Sequence, residues 1–206
     1  MKPTIALTKG RLEKQFLEFF QSIGYNIEPL VKKGRKLRVD TDQCQFVFAK
    51  GVDVTTYVEH GIADLGIVGE DVLTEFQPDV YNLFPLPFGK CRMALAIEEG
   101  KQLPNRKRKI ASKYPTITKE YFKQKGESVD IVKLEGSVEL APILGLADGI
   151  VDIVETGTTL KENGLIVKEE IQSYSARCIA NRSSLKIKRD ALNPIIQSFQ
   201  KGAVLK

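Results

Sequence analysis

Long apolar runs are missing from this chain of 206 residues: no stretch approaches the roughly 18 residues that a membrane-spanning helix needs. From Met1 the sequence passes straight into Pro3-Thr4-Ile5-Ala6-Leu7, without the charged, apolar and small-residue order of a secretory signal. A cytoplasmic protein is therefore expected. Cysteine is scarce, and Cys44, Cys91 and Cys178 stand far apart, which argues against structural zinc and for reduced, buried thiols. Histidine is scarcer still: His60 is alone and stands beside Gly61, so it reads as a helix-end residue and not as a general base. Positive charge is in modest excess, at +5, which favours anionic ligands. The basic run Arg106-Lys107-Arg108-Lys109 has no interleaved aromatic residues, and it reads as a solvated loop and not as a nucleic-acid patch.

What is present is an alternation of strands and helices, with 42% hydrophobic residues to build cores. The fold class is α/β, sheets covered by helices on both faces. A first strand spans Thr4 to Leu7, and Leu12, Phe16, Phe19, Phe20 and Ile23 then recur at helical spacing up to Gly24. Further strands are expected at 45–49, 65–68, 82–84 and 92–97, with a helix through Tyr57 and Val58 that Gly61 stops. A second series starts at Ile110: strand, a helix around Ile117, Tyr121 and Phe122, a strand over 128–134, a helix over 138–146, and a strand from Ile150. Residues 168–180 read as extended, and a last helix runs from Asp190 to about Gln200.

Gly61-Ile62-Ala63-Asp64 and Gly145-Leu146-Ala147-Asp148 echo one another, each joining a helix to a buried strand. Two related halves follow from that echo. Pro85, Pro87 and Gly89 mark a boundary, and the last helix has no strand series of its own to cover. The expected division is residues 1–89 plus 177–206 as a discontinuous first domain and 90–176 as a second.

The most informative stretch is Gly149-Ile150-Val151-Asp152-Ile153-Val154-Glu155-Thr156-Gly157-Thr158-Thr159-Leu160. An apolar strand runs into acids, then glycine and hydroxyls able to cap a following helix. Backbone N–H groups at such a turn carry partial positive charge and suit phosphate. Asp152 and Glu155, three residues apart, face one mouth and could accept hydrogen bonds from ribose hydroxyls or hold a phosphate-bound Mg²⁺.

Three blocks together resemble the short-form catalytic subunit family of ATP phosphoribosyltransferase: Ile5-Ala6-Leu7-Thr8-Lys9-Gly10-Arg11, residues 57–69, and residues 134–165, where Gly136-Ser137-Val138-Glu139 stands in the family's order. The resemblance implies a two-domain fold like that of type II periplasmic binding proteins, with the active site in the interdomain cleft. It implies attack by N1 of the adenine of ATP on C1 of phosphoribosyl pyrophosphate, expelling pyrophosphate, in the first step of histidine biosynthesis. Catalysis then falls to Asp152 and Glu139, with Glu139, Asp152, Glu155, Thr156, Gly157, Thr158 and Thr159 binding phosphoribosyl pyrophosphate. Lys9, Gly10, Arg11, Lys50, Asp64, Leu65 and Gly66 would bind ATP. Mg²⁺ is the implied cofactor, held mainly by the substrate's pyrophosphate. Lys50 stands where the family has arginine; lysine keeps the charge but loses the planar fork.

A separate regulatory subunit resembling histidyl-tRNA synthetase is the implied partner, in a hetero-octamer. Neither a membrane nor a nucleic acid is expected to take part. A solute sensor of the same architecture, closing on an anion without chemistry, is the alternative.

Overall fold

The computed structural model describes residues 2–204. They form two compact units, one made of the residues up to Gly89 and from Ser175 onward, the other of Lys90–Tyr174.

Unit one opens with β1 (Thr4–Thr8), α1 (Arg11–Ser22), α2 (Glu28–Val31), β2 (Arg38–Asp40), β3 (Gln45–Ala49), α3 (Gly51–Glu59), β4 (Leu65–Gly69), α4 (Glu70–Phe76) and β5 (Tyr81–Pro85). Unit two holds β6 (Cys91–Glu98), β7 (Arg108–Ser112), α5 (Pro115–Gln124), β8 (Val129–Lys133), α6 (Leu140–Ile143), β9 (Gly149–Val154), α7 (Thr158–Glu162) and β10 (Leu165–Tyr174). The chain then returns to unit one as β11 (Ala176–Ala180), α8 (Ser184–Ile187) and α9 (Arg189–Val204).

The sheet of unit one has the order β2-β3-β1-β4-β11-β5. β3, β1 and β4 run parallel. Helices cover both faces, so β4 is buried at every residue, the burial expected of a parallel strand sandwiched between helical layers. On one face α1 and α9 close a core around Phe16, Phe20, Phe46 and Phe199. The rings of Phe16 and Phe20 stack at 5.2 Å, and Phe199 meets Phe16 edge-on at 5.8 Å. On the other face Val54 and Val58 of α3 pack on Ala6, Val68 and Ile179. Gly66 makes that contact possible: a Cβ there would lie 2.8 Å from Val58 Cγ2 and 2.9 Å from Ile179 Cγ1.

The sheet of unit two has the order β10-β6-β9-β7-β8. Ala94, Ala96, Ala111, Ile150 and Val154 point to the side of α6 and α7. Met93, Leu95, Ile110 and Val151 point to α5, against Ile117, Tyr121 and Phe122. The first and last strands of the unit pair antiparallel, with Cys91 opposite Tyr174.

The echo between Asp64 and Asp148 has a physical meaning. The Asp64 N–H donates to Thr4 O at 2.8 Å while its Oδ2 accepts from Thr4 N at 2.9 Å. Asp148 does the same to Lys109, at 2.7 and 2.8 Å. Each aspartate thus staples the start of one strand to the start of its parallel neighbour. The glycines before them, Gly61 and Gly145, have φ of 70° and 71°, which lets the chain leave the helix and enter the staple.

Some expectations are corrected. The helix expected over 138–146 is only α6. Leu140 N and Ala141 N bond back three residues, to Ser137 O and Val138 O, Pro142 has no N–H, and Gly145 is left-handed. The extended stretch 168–180 is two strands in two different sheets. β2, α2, α4 and α8 were not anticipated, being three to seven residues long, too short for a period to register.

Candidate functional site

In unit two, β9 ends at Val154 and the chain turns through Glu155, Thr156 and Gly157 into α7. Gly157 is the N-cap of α7 and is left-handed, φ 79°; a β-branched threonine there would be strained. Gly157 has no side chain with which to cap the helix, and the hydroxyl that reaches the helix start comes from one residue earlier: Thr156 Oγ1 accepts from Thr158 N at 3.4 Å and lies 3.0 Å from Thr158 Oγ1. The turn opens on a cavity of about 320 Å³ lined by Glu139, Asp152, Ile153, Val154, Glu155, Thr156, Gly157, Thr159 and Leu160.

That cavity brings together six of the residues singled out in the sequence, from three elements. Asp152 is the fourth residue of β9, and its Oδ1 accepts from Ile153 N at 2.8 Å. Glu139 caps α6 from a backbone already helical, φ −57° and ψ −27°. Thr158 contributes through its bond to Thr156 and does not line the wall. Ile153, Val154 and Leu160, which the sequence reading places in this stretch without a binding role, supply the apolar part. Their signal was the hydrophobic run itself, which reads equally well as plain core.

The second set of residues gathers on unit one, at the carboxyl ends of the parallel strands, where open α/β sheets bind ligands. Lys9, Gly10 and Arg11 follow β1, Lys50 follows β3, and Lys9 N donates to Ala49 O at 2.9 Å. Three adjacent helices start at this edge, with N-caps Gly10, Lys50 and Gly69, none carrying a side-chain cap. Gly10, at φ 91° and ψ −130°, adopts a backbone that only glycine tolerates well. Cationic residues and helix starts thus lie together at one edge, a combination that suits polyphosphate. Arg177 stands at the same edge: its Nε donates to Asn82 Oδ1 at 3.0 Å, and Glu70 lies 3.7 Å from its NH2. Its short strand gave no warning of that placement.

Asp64, Leu65 and Gly66 are not part of this group, for they sit at the opposite end of β4. Asp64 is 1% exposed. Besides Thr4, its carboxylate accepts from Ser184 Oγ at 2.7 Å and from Lys188 Nζ at 2.8 Å. Those bonds consume its oxygens inside the fold.

Among the described residues no group of three or more His, Cys, Asp or Glu side chains is arranged to hold a metal ion. No helix there is long and apolar enough to cross a membrane. Burial pushes the Cys44 thiol up to about 11 and the Cys178 thiol up to about 12.

Known proteins share both the sequence and the fold. The family profile described as HisG: ATP phosphoribosyltransferase matches residues 50–201. An ATP phosphoribosyltransferase of Clostridium acetobutylicum is 54% identical over 200 residues, covering 95% of this chain and 93% of that one. A chain of the ATP phosphoribosyl transferase (HisG:HisZ) complex from Thermotoga maritima superposes with a TM-score of 0.84 at 35% identity, over 99% of this chain and 100% of that one. The periplasmic aliphatic sulphonate binding protein of Escherichia coli superposes at 0.65 with 14% identity, over 99% of this chain and 73% of the other, a likeness of fold alone. The architecture is thus α/β of the type II periplasmic-binding-protein kind, and with a matching profile and relatives spanning nearly its whole length, the chain belongs to the ATP phosphoribosyltransferase family.

Proposed function

We propose that the chain transfers the phosphoribosyl group of phosphoribosyl pyrophosphate to N1 of ATP, giving phosphoribosyl-ATP and pyrophosphate in the first step of histidine biosynthesis. The observation that carries it is the unit-two cavity, which three carboxylate residues and a hydroxyl-rich helix start line together. An anion sensor has no use for carboxylates there; a sugar phosphate needs both kinds of group. In this reading the amides and hydroxyls of Thr156, Gly157, Thr158 and Thr159 hold the 5-phosphate, while Glu139 and Asp152 accept hydrogen bonds from the ribose hydroxyls.

As N1 bonds to C1 and the C1–O bond to pyrophosphate breaks, the ring gains oxocarbenium character. A carboxylate beside it stabilises that charge more in the transition state than in the ground state. N1 of adenine is a neutral nucleophile, so alignment of the two substrates does much of the work and no protein base is required. ATP belongs with unit one, its polyphosphate on Lys9, Gly10, Arg11 and Lys50, and phosphoribosyl pyrophosphate with unit two. Asp152 and Glu155 are hard oxygen donors, and one or two carboxylates plus substrate phosphates is how Mg²⁺ is ordinarily held. The ion would neutralise the leaving pyrophosphate.

A regulatory partner of the HisZ kind, in a hetero-oligomer, and a cytoplasmic location complete the reading. The chain is mixed with ATP, Mg²⁺ and phosphoribosyl pyrophosphate, with and without such a partner, while pyrophosphate release and adenine absorbance are followed. Product that requires both substrates is expected. No product in either mixture sinks the assignment.

A further inference from the structure

The unit-two cavity presents an electrostatic problem. Glu139, Asp152 and Glu155 line it, and no lysine or arginine does. A ligand with a phosphate at one end and a pyrophosphate at the other meets carboxylates of its own sign, and a bound divalent ion offsets only part of the repulsion. A cation close to Asp152 would therefore govern how well the cavity holds a polyanion.

Lys113 stands where such a cation is needed. It is the first residue beyond β7, which runs parallel beside β9 with Ala111 opposite Ile150 and Ser112 opposite Val151. One step further, Lys113 is level with Asp152. Side chains alternate between faces along a strand. Ala111 and Ile150 lie in the core that also contains Val154 and Leu160, the cavity's own side of the sheet. Asp152, two residues on from Ile150, falls on that side as well, and the same alternation carried one residue past Ser112, the last residue of β7, puts Lys113 there too. Neighbouring strands are about 4.8 Å apart, a gap that the four-carbon stem of lysine spans.

Lys113 is exposed, and among the described residues it makes neither an ion pair nor a hydrogen bond. Its counterpart on the other flank of β9 differs: Arg92, opposite Val154 on β6, is held by Glu170 of β10. Lys133, at the end of β8, is paired with Glu135. Of these cations around β9, Lys113 is the one whose charge no carboxylate has taken up.

We propose that Lys113 is a further substrate-binding residue of this site, placing its ammonium on the pyrophosphate of phosphoribosyl pyrophosphate, where negative charge grows as the C1–O bond breaks. The assignment rests on the phosphoribosyl reading of the cavity. Its level at Asp152, four residues before the start of the Thr156–Thr159 loop, puts it by the ribose and leaving group and not by the 5-phosphate.

The test compares Lys113→Met, Lys113→Arg and, as an exposed lysine of α5 outside the site, Lys119→Met. Affinity for phosphoribosyl pyrophosphate and for pyrophosphate is measured by calorimetry with Mg²⁺, and KM is measured for each substrate in turn. Lys113→Met is expected to weaken phosphoribosyl pyrophosphate binding and raise its KM by about tenfold or more while KM for ATP stays within about twofold. Lys113→Arg should recover most of the loss, and Lys119→Met should match the wild type. Wild-type affinity in Lys113→Met, or an equal loss in Lys119→Met, overturns the role of Lys113 and leaves the reading of the cavity standing. If the wild-type chain itself binds no phosphoribosyl pyrophosphate, the reading of the cavity falls, and the role of Lys113 with it.

Discussion

Asp152 shows how a single carboxylate can be read from its setting. It interrupts a run of apolar strand residues whose neighbours Ile150, Val151 and Val154 are buried, and a charge in such a place needs a purpose. Asp152→Asn and Thr159→Ala should each lower kcat/KM by about tenfold or more, a loss of about 1.4 kcal/mol of transition-state stabilisation, with an unchanged melting temperature. Wild-type kinetics in both variants would remove the loop from the mechanism. Asp64 looked similar in sequence and proved different, because its partners Ser184 and Lys188 lie 120 and 124 residues away. No local pattern announces a contact of that range. The buried thiols carry a pH dependence with a definite sign. In the unfolded chain they ionise near 9, but burial holds Cys44 to about 11 and Cys178 to about 12. Below pH 9 both states keep the proton and stability is unaffected; above it the unfolded state alone releases protons, so stability falls as pH rises from 9 towards 12. Denaturant melts at pH 8 and pH 10 should show the drop, and Cys178→Ala should reduce it.

At the scale of elements, length decided what could be read. α1 carries Phe16, Phe19 and Phe20 on one buried stripe over 12 residues, and a stripe that long is visible in sequence. α6 and α7 have four and five residues, and turns, not periodicity, define them. The paired staples at the strand starts were visible as an echo, but their meaning depended on the strands that they join. Asp64→Ala removes the acceptor for Thr4 N, Ser184 Oγ and the Lys188 ammonium together. It should destabilise the fold by about 2–3 kcal/mol while leaving KM for ATP unchanged. A raised KM for ATP at an unchanged melting temperature would return Asp64 to the binding site and end its structural assignment.

For the whole molecule, the interruption of unit one by unit two follows a simple rule. Unit two begins and ends on strands that pair with each other, Cys91 opposite Tyr174, so its entrance and exit are neighbours. It also has cores of its own on both faces of its sheet. The fragment Lys90–Tyr174, expressed alone, should therefore fold, with strand and helix content by circular dichroism and a cooperative melt. A fragment that shows neither would mean that the unit depends on the rest of the chain. Pro85, Pro87 and Gly89 punctuate the chain just before unit two begins at Lys90, whereas the chain rejoins unit one at Ser175, two residues before the expected position 177, within extended chain that carries no punctuation.

Asp64 and Asp148 fasten their strands at the ends remote from the loops proposed above to bind the substrates. Alignment of each sheet is therefore secured independently of whatever the opposite rim is asked to recognise. Loops on that rim can be exchanged, lengthened or redesigned for another phosphorylated compound without the strands losing their relative positions, which makes this scaffold tolerant of new specificity.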